Sequence, residues 1–151
     1  MSKTKILMVC LGNICRSPLA HGLLESKLDA DQYFVDSAGT GNWHVGSPPD
    51  PRSVAIARRH GLDISRQRGQ HFEAHHFEQF DHIFVMDSSN REHVLTLAPQ
   101  PEQRSKVQLI MEEIFPGERM DVPDPYYGGD DGFERVFQML DRATDEIAAR
   151  I

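Results

Sequence analysis

The fold is decided by the stretch Cys10-Leu11-Gly12-Asn13-Ile14-Cys15-Arg16-Ser17-Pro18, which separates a short apolar run from an amphipathic pattern. The preceding run, Lys5–Val9, has the length and composition of a fully buried parallel strand. After the stretch, apolar residues recur at helical spacing up to Leu28. Ser17 is a good N-cap and Pro18 a good first helical residue, because proline has no N–H to leave unpaired there. The sequence therefore predicts a strand, a tight loop and a helix.

The predicted loop has the properties of a cradle for an oxyanion. The backbone N–H groups of a curled loop and of a helix N-terminus converge on one point and attract negative charge. Gly12 lets the backbone approach a ligand closely, and Asn13 is a residue type that tolerates left-handed torsion angles. Arg16 adds a planar fork that matches two phosphate oxygens. Cys10 would lie at the bottom of the cradle, where the positive field favours the reactive thiolate.

Two other interpretations of this loop are available. A lone cysteine near the end of a strand is often buried only for packing, but here an arginine stands six positions later and a Ser-Pro pair follows it. A nucleotide-binding P-loop requires a lysine before its serine or threonine, and this loop has no lysine. The residues favour a catalytic thiolate in an oxyanion cradle.

The segment Val9–Pro18 resembles the active-site signature of the low-molecular-weight protein tyrosine phosphatases. Four further segments follow in the order in which that family has them. They are Asp36-Ser37-Ala38-Gly39-Thr40 with Trp43 and Gly46, Arg59-His60-Gly61 with Ser65, Val85-Met86-Asp87 with Asn90, and Asp124-Pro125-Tyr126-Tyr127-Gly128. One segment departs from the pattern of the family. The usual Ala-Arg-Gln is replaced by Arg68-Gly69-Gln70, which shifts the arginine by one position.

Short apolar runs and helical patterns alternate along the chain, which predicts βαβ units and a parallel sheet. The predicted strands are Lys5–Val9, Tyr33–Val35, His82–Met86 and Val107–Ile110. The predicted helices run from the cradle to Leu28, around Ser53–His60, from Ser89 to Leu97 and onward from near Asp131. Together with the resemblance to the family, this pattern implies an α/β fold. The chain is expected to form a single three-layer α/β/α phosphatase domain over residues 1–151. Its sheet is expected to have four parallel strands, with a P-loop-like phosphate cradle after the first strand.

Composition and charge argue against several classes of protein. A length of 151 residues is sufficient for one ordinary domain. The formal charge of −7 at neutral pH argues against nucleic acid or an anionic membrane surface as a partner. The sequence has no apolar stretch long enough to span a bilayer, and its N-terminus has no signal-peptide pattern. We therefore expect a cytoplasmic protein without membrane insertion.

The two cysteines of the chain, Cys10 and Cys15, both lie in the predicted cradle, which argues against a disulfide framework of the secreted kind. A tightly curled loop would allow them to form a local disulfide that protects the nucleophile from irreversible oxidation. Alternatively, Cys15 only fills space behind the cradle.

Hydrolysis of a phosphate ester by Cys10 also requires a proton for the leaving group. Asp121 and Asp124 are both candidates, and the prolines on either side of Asp124 would stiffen its loop. The resemblance selects Asp124, which would protonate the leaving phenolate as a phosphocysteine forms and then activate the water that hydrolyses it. It also implies that Arg16 clamps the phosphate, that Ser17 bonds the thiolate and that Asn13 holds the shape of the loop. The predicted binding residues are Leu11, Gly12, Asn13, Ile14, Cys15, Ser17, Trp43 and Tyr126.

The expected substrate is a tyrosine-phosphorylated protein. Trp43 lies in a Gly/Asn/His-rich segment, and with Tyr126 it would form the walls of a slot for a flat ring. Alternatively, Trp43 only attaches its loop to the sheet. Phosphoarginine phosphatases, a related subfamily, tend to have threonine at the position of Ile14, so the isoleucine favours a phenolic substrate.

Further functions of the same fold have less support. Arsenate reductases need cysteines further along the chain, and none follows Cys15. A non-enzymatic phosphopeptide-binding module would have reason to lose Cys10 or Asp124, yet both are present.

No metal or cofactor is expected. The segment that contains His71, His75 and His76 has an i,i+4 histidine pair but lacks a third ligand at a convincing spacing. His60 is interpreted as a structural histidine, and Asp87 with Asn90 as polar caps behind the cradle. We expect a monomer or a weak dimer.

Overall fold

Strands and helices alternate along the chain, as the sequence predicts. We describe a computed structural model of the protein, which covers residues 2–98, 100–126, 128 and 130–151. Its strands are β1 (Thr4–Cys10), β2 (Tyr33–Gly39), β3 (His82–Val85) and β4 (Val107–Leu109). Its helices are α1 (Arg16–Lys27), α2 (Pro51–Arg59), α3 (His76–Gln79), α4 (Ser88–Thr96), α5 (Pro101–Arg104) and α6 (Asp130–Arg150), with a 3₁₀ turn at Ile110–Glu113. None of the helices in these residues is long and apolar enough to cross a membrane.

The four strands form one parallel sheet in the order β2-β1-β3-β4. Strand β1 is central, and its last residue, Cys10, pairs with Gly39 at the end of β2. The second strand is longer than the predicted Tyr33–Val35, because all seven of its residues pair with β1. The predicted α/β fold with a four-stranded parallel sheet is confirmed. Ligands of such sheets bind at the carboxyl ends of the strands, which is where Cys10 lies.

Two apolar clusters cover the two faces of the sheet. Alternation along β1 sends Ile6 and Met8 to one face and Leu7 and Val9 to the other. The first face packs against apolar residues of α1, α2 and α6, and the second against residues of α3 and α4. The arrangement has the three predicted layers, α/β/α. Burial on both faces explains why β1 and β3 contain continuous apolar runs.

The start of α1 differs from the sequence-based prediction. The helix begins at Arg16, so Ser17 is its second residue and Pro18 its third, and Cys15 occupies the N-cap position without a side-chain cap bond. Ser17 does not cap the helix because its hydroxyl is used inside the cradle, 3.0 Å from the Sγ of Cys10. The proline remains compatible with the first turn, where its missing N–H leaves no bond unmade.

Candidate active site

The cradle loop, Leu11–Cys15, is shaped by contacts with distant parts of the chain. The backbone N–H of Gly41 donates to the carbonyl of Leu11 at 2.8 Å, and that of Asp50 donates to the carbonyl of Ile14 at 2.8 Å. A side chain on Gly39 would meet the Leu11 carbonyl oxygen at 2.9 Å, so the end of β2 approaches the loop closely. These contacts hold the loop in a curled conformation from outside, with Cys10 before it and helix α1 after it.

Asn13 has the left-handed backbone conformation that its residue type suggests, with φ of 58°. Its side chain is bonded at both ends. The Nδ2 group donates to the Oγ of Ser17 at 2.8 Å, and the Oδ1 atom accepts from the backbone N–H of Gln70 at 3.0 Å. These bonds compensate for the cost of the unusual backbone. Asn13 therefore fixes the turn of the cradle, and it also directs its own N–H towards the Cys10 sulfur at 3.3 Å.

The Cys10 sulfur lies almost fully buried at the base of the cradle. Because Ser17 Oγ already accepts a hydrogen bond from Asn13 Nδ2, its own hydroxyl proton is free to point at the sulfur 3.0 Å away. The Asn13 N–H provides a second donor. Two donors are therefore directed at the sulfur of Cys10.

Arg16 is buried beside the cradle and is held by two acceptors. Its Nη1 group donates to Asp87 Oδ2 at 2.6 Å and to the backbone carbonyl of Val122 at 2.9 Å, while Nη2 lies 3.7 Å from Asp124 Oδ2. Burial opposes the charged form, but the negative charge of Cys10 and the hydrogen bond and charge of Asp87 outweigh it and raise the pKa of Arg16 above its ordinary value. The guanidinium is therefore a fixed positive charge at the cradle.

A cavity of about 280 Å³ opens above the Cys10 sulfur. It is lined by Cys10, Leu11, Gly12, Ile14, Cys15, Arg16, Trp43, His44, Asp124 and Tyr126. All the predicted site residues line this cavity except Asn13 and Ser17, which are buried and contact the Cys10 sulfur. The arrangement joins a cysteine sulfur, a fixed guanidinium, a carboxyl group and two aromatic rings at one opening.

The two candidate acids occupy different places. Asp124 lines the cavity with its carboxyl group partly exposed, and its Oδ1 accepts the backbone N–H of Tyr126 at 3.0 Å. Asp121 does not line the cavity, and its Oδ1 accepts from the backbone N–H and the hydroxyl of Ser88. Of the two, Asp124 is the carboxyl group within reach of a ligand.

The aromatic residues at the opening are exposed. Trp43 is 68% exposed, and its ring lies over Gly41, where any side chain would collide with it. Tyr126 is 39% exposed, and the guanidinium of Arg52 lies 5.3 Å from the centre of its ring. Tyr127, the second tyrosine of this motif, lies outside the described residues.

Comparison with known proteins identifies the family. A sequence model described as "Low molecular weight phosphotyrosine protein phosphatase" matches residues 5–151. The chain belongs to this family. A relative of that name from Schizosaccharomyces pombe is 42% identical over 141 residues, which are 90% of this chain and 89% of the relative. The resemblance seen in the sequence is confirmed, and the chain is an enzyme of the phosphatase class.

Solved structures of such phosphatases share the fold. A protein tyrosine phosphatase from Entamoeba histolytica superimposes with a TM-score of 0.91 at 32% identity, covering 98% of this chain and 96% of that one. Wzb from Vibrio vulnificus, solved in complex with benzylphosphonate, superimposes with a TM-score of 0.89 at 31% identity. That alignment covers 99% of this chain and 100% of Wzb.

The departure of this phosphatase at Arg68-Gly69-Gln70 has a steric reason. A side chain on Gly69 would come within 2.2 Å of the His44 carbonyl oxygen. The backbone of Gly69 also exchanges hydrogen bonds with Gly46 and Ser47. The displaced Arg68 instead donates to two carbonyl groups of its own turn. Glycine at position 69 therefore allows the loop that carries Trp43 to pack closely against this segment.

Three residues near the site have roles that sequence reasoning missed or underrated. Asp87, interpreted from the sequence as a cap in preference to a catalytic residue, does form a capping box with Asn90, and it also binds Arg16. Gln70 holds Asn13 through its backbone, and its side chain donates to Asp36 and to the carbonyl of Ser37. His44 lines the cavity. No short sequence pattern predicts any of these contacts. The spacing of Asp87 and Asn90 indicates only the start of a helix.

The remaining histidines have structural contacts. His60 stacks on Phe137 and bonds the carboxyl group of Glu134, in agreement with its interpretation as structural. His76 is buried and bonds to the backbone of Glu73. Burial, followed by the neighbouring His75, lowers the pKa of His76. Within the described residues, no group of three potential ligands could hold a metal ion.

Both cysteines are free thiols in the structure. Burial, followed by the charges of Asp50 and Cys10, raises the pKa of Cys15 to about 12. At neutral pH the Cys15 thiol therefore remains protonated. The local disulfide between Cys10 and Cys15 stays a prediction.

We predict that Asp87→Asn lowers both activity and stability. An amide binds the Arg16 guanidinium less strongly than a carboxylate does, so the guanidinium loses its fixed position. We expect kcat/KM to fall about 10- to 100-fold, because small displacements of a catalytic group cause losses of this size. The free energy of unfolding should fall by about 1–3 kcal/mol, because a buried charge loses its partner. Steady-state kinetics and denaturant unfolding measure the two effects.

Asn90→Ala is the matched control for this prediction. It removes the reciprocal bond of the capping box but leaves Asp87 on Arg16. This variant should lose about 0.5–2 kcal/mol of stability with kcat/KM within about twofold of wild type. Equal losses of activity in both variants would mean that Asp87 acts only as a helix cap.

Proposed function

We propose that this protein hydrolyses phosphotyrosine in proteins through a phosphocysteine intermediate. In this scheme Cys10 is the nucleophile, Arg16 clamps the phosphate and Asp124 is the general acid and base. The observation that carries the proposal is that the Cys10 sulfur, the Arg16 guanidinium and the Asp124 carboxyl group line the same small cavity. Residues 1–151 would act as one phosphatase domain.

Phosphate binding would rely on local donors, since the chain carries a formal charge of −7. The N-terminus of α1 and the amides of the loop Leu11–Cys15 surround the cavity floor. The Arg16 guanidinium adds a buried positive charge at the same place. A fixed set of donors needs no reorganisation as negative charge moves over the transferring phosphoryl group, which is how such sites lower the barrier.

In the first step the Cys10 thiolate attacks phosphorus, an S–P bond forms, and the P–O bond to the tyrosine breaks. Asp124 gives its proton to the leaving phenolate oxygen. In the free protein its carboxyl group lies 3.7 Å from Arg16 Nη2. That contact places the carboxyl group beside the guanidinium that would hold the phosphate.

In the second step water attacks the phosphocysteine. Asp124, now a carboxylate, accepts a proton from the water, the S–P bond breaks, and inorganic phosphate and the Cys10 thiolate are released. The two donors to the sulfur, Ser17 Oγ and the Asn13 N–H, stabilise the thiolate as a leaving group. No metal or cofactor takes part in this scheme.

The preference for a phenolic substrate rests on the walls of the cavity. Trp43 and Tyr126 expose aromatic surface at the opening, and Ile14 adds an apolar side chain to the lining. The exposure of Trp43 favours a binding role over simple attachment of its loop. Wzb, which this chain resembles in structure, was solved with benzylphosphonate, a compound that joins a phenyl ring to a phosphonate.

The test is release of phosphate from peptides that differ only in the phosphorylated residue. We expect the phosphotyrosine peptide to exceed the phosphoserine peptide about 10- to 150-fold in kcat/KM, because burial of a phenyl ring stabilises by about 1.5–3 kcal/mol. A phosphoarginine peptide hydrolysed faster than both would replace the proposal with an arginine phosphatase. Arsenate-dependent oxidation of thiols without peptide hydrolysis would replace it with an arsenate reductase.

A further inference from the structure

Exposed apolar side chains are concentrated at one place on the surface. Among the described residues, five large apolar side chains are exposed: Leu11, Phe34, Trp43, Val45 and Tyr126. Leu11, Trp43 and Tyr126 line the active-site cavity, and Val45 follows Trp43 by two residues in the same loop. Several exposed apolar side chains at or next to one opening indicate a binding surface. We call these four residues the apolar rim.

Val45 is the member of the rim that the proposed chemistry does not use. Its side chain is 59% exposed and does not line the cavity itself. The backbone around it is fixed, because the N–H of Gly46 donates to Gly69 at 2.8 Å and that of Ser47 donates to His44 at 2.9 Å. Because Val45 directly follows two cavity-lining residues, Trp43 and His44, its exposed side chain would contact the part of a substrate just outside the cavity, without a cost of ordering the loop.

The charges at the opening do not favour acidic substrate residues. Among the described residues that line the cavity, Arg16 is the one with a permanent positive charge, and it is buried and bonded to Asp87. Asp124 adds a carboxyl group. Arg52 lies beside Tyr126, but its Nε and Nη2 atoms donate to the two carboxylate oxygens of Asp50. With a formal charge of −7 on the chain, a carboxylate next to the phosphotyrosine would be repelled without a compensating local cation.

We propose that the apolar rim selects phosphotyrosine sites with an aliphatic residue directly next to the phosphotyrosine and discriminates against glutamate there. This inference rests on the proposed phosphotyrosine phosphatase function and deepens it by defining the sequence around the substrate tyrosine. Leucine, isoleucine or valine would bury apolar surface on Val45 and on the outer edges of Trp43 and Leu11. Glutamate would lose that contact and add repulsion.

The experiment compares kcat/KM for phosphotyrosine peptides of one sequence in which the preceding or the following residue is leucine, glycine, lysine or glutamate. At one or both positions we expect leucine to exceed glutamate about 10-fold or more, with glycine between them. If the lysine peptide had the highest kcat/KM, selection would depend on charge and not on apolar contact, and the proposal would be overturned.

Val45→Ser identifies the surface responsible. It should reduce the leucine-to-glycine ratio about two- to fivefold. Phe34→Ser is the matched control, because Phe34 is also exposed and apolar but stacks on Phe80 away from the cavity. Its ratio should equal that of wild type. Each ratio compares two peptides on the same protein, so partial unfolding of a variant does not alter it.

Free phosphotyrosine as a substrate distinguishes a failure of the apolar rim from a failure of the proposed function. Hydrolysis of free phosphotyrosine with equal rates for all peptides would overturn the apolar rim and leave the proposed function standing. An unchanged leucine-to-glycine ratio in Val45→Ser would also overturn the role of the rim. Failure to hydrolyse free phosphotyrosine and every peptide would overturn the proposed function and the inference together.

Discussion

Cys10→Ser should abolish turnover and retain phosphate binding. The serine hydroxyl fits the space of the thiol, but a hydroxyl is a much weaker acid than a thiol and supplies almost no anionic nucleophile at neutral pH. Loss of a nucleophile that works with fixed partners costs about 10⁴- to 10⁶-fold in kcat. The amides of the loop and Arg16 remain in place, so calorimetry should find inorganic phosphate bound about as tightly as by wild type. Phosphate release from phosphotyrosine measures the loss of turnover.

The second cysteine of the same loop provides the control for this experiment. Cys15→Ala removes a buried thiol whose pKa is raised to about 12 by burial, Asp50 and Cys10, and it leaves the backbone amide of the cradle unchanged. Activity within about tenfold of wild type is expected, since no step uses this sulfur. The nucleophile would have to be reassigned if Cys10→Ser remained active while Cys15→Ala did not.

Asp124→Asn should lower kcat/KM for phosphotyrosine about 10²- to 10⁴-fold, the range that general acid catalysis contributes. The amide keeps the size of the side chain but cannot protonate the leaving phenolate. The value of kcat/KM for p-nitrophenyl phosphate should fall much less, because its leaving group is stable without a proton. The comparison uses kcat/KM since this constant reports the steps up to formation of the phosphocysteine. A rapid-mixing assay of both substrates measures it.

Asp121→Asn is the control that distinguishes the two aspartates. Its carboxyl group accepts from Ser88 and does not line the cavity, so kcat/KM should stay within about threefold of wild type. Similar losses for the two substrates in Asp124→Asn would argue that this residue orients Arg16 and does not transfer the proton. A large loss in Asp121→Asn alone would transfer the role of acid to Asp121.

Much of the fold could be predicted because its signals are local. The buried strands are continuous apolar runs, and the last helix starts at Asp130, one residue before the expected Asp131. The cradle was recognisable because its residue types are required within one short stretch. The predicted start of α1 was wrong by two residues. The preference of serine for an N-cap is weaker than the bonds that Ser17 makes to Asn13 and towards Cys10.

The unpredicted parts of the site depend on contacts between distant residues. Asp87 binds Arg16 across 71 positions, and Gln70 binds Asn13 across 57. The spacing of residues along the chain carries no signal for either contact. The length of β2 was underestimated for the same reason, because its last residues are held by pairing with β1 and are not an apolar run.

The anchoring of the cradle loop to Gly41, Asp50 and Gln70 links the active site to folding equilibria. Because the loop takes its curled form from partners elsewhere in the fold, the unfolded chain offers an oxyanion no comparable set of donors. An oxyanion that binds only the native state stabilises it by about 2.7 kcal/mol when present at 100 times its dissociation constant. Cellular phosphate and phosphorylated substrates would thereby act as thermodynamic ligands that protect the native chain from unfolding and proteolysis.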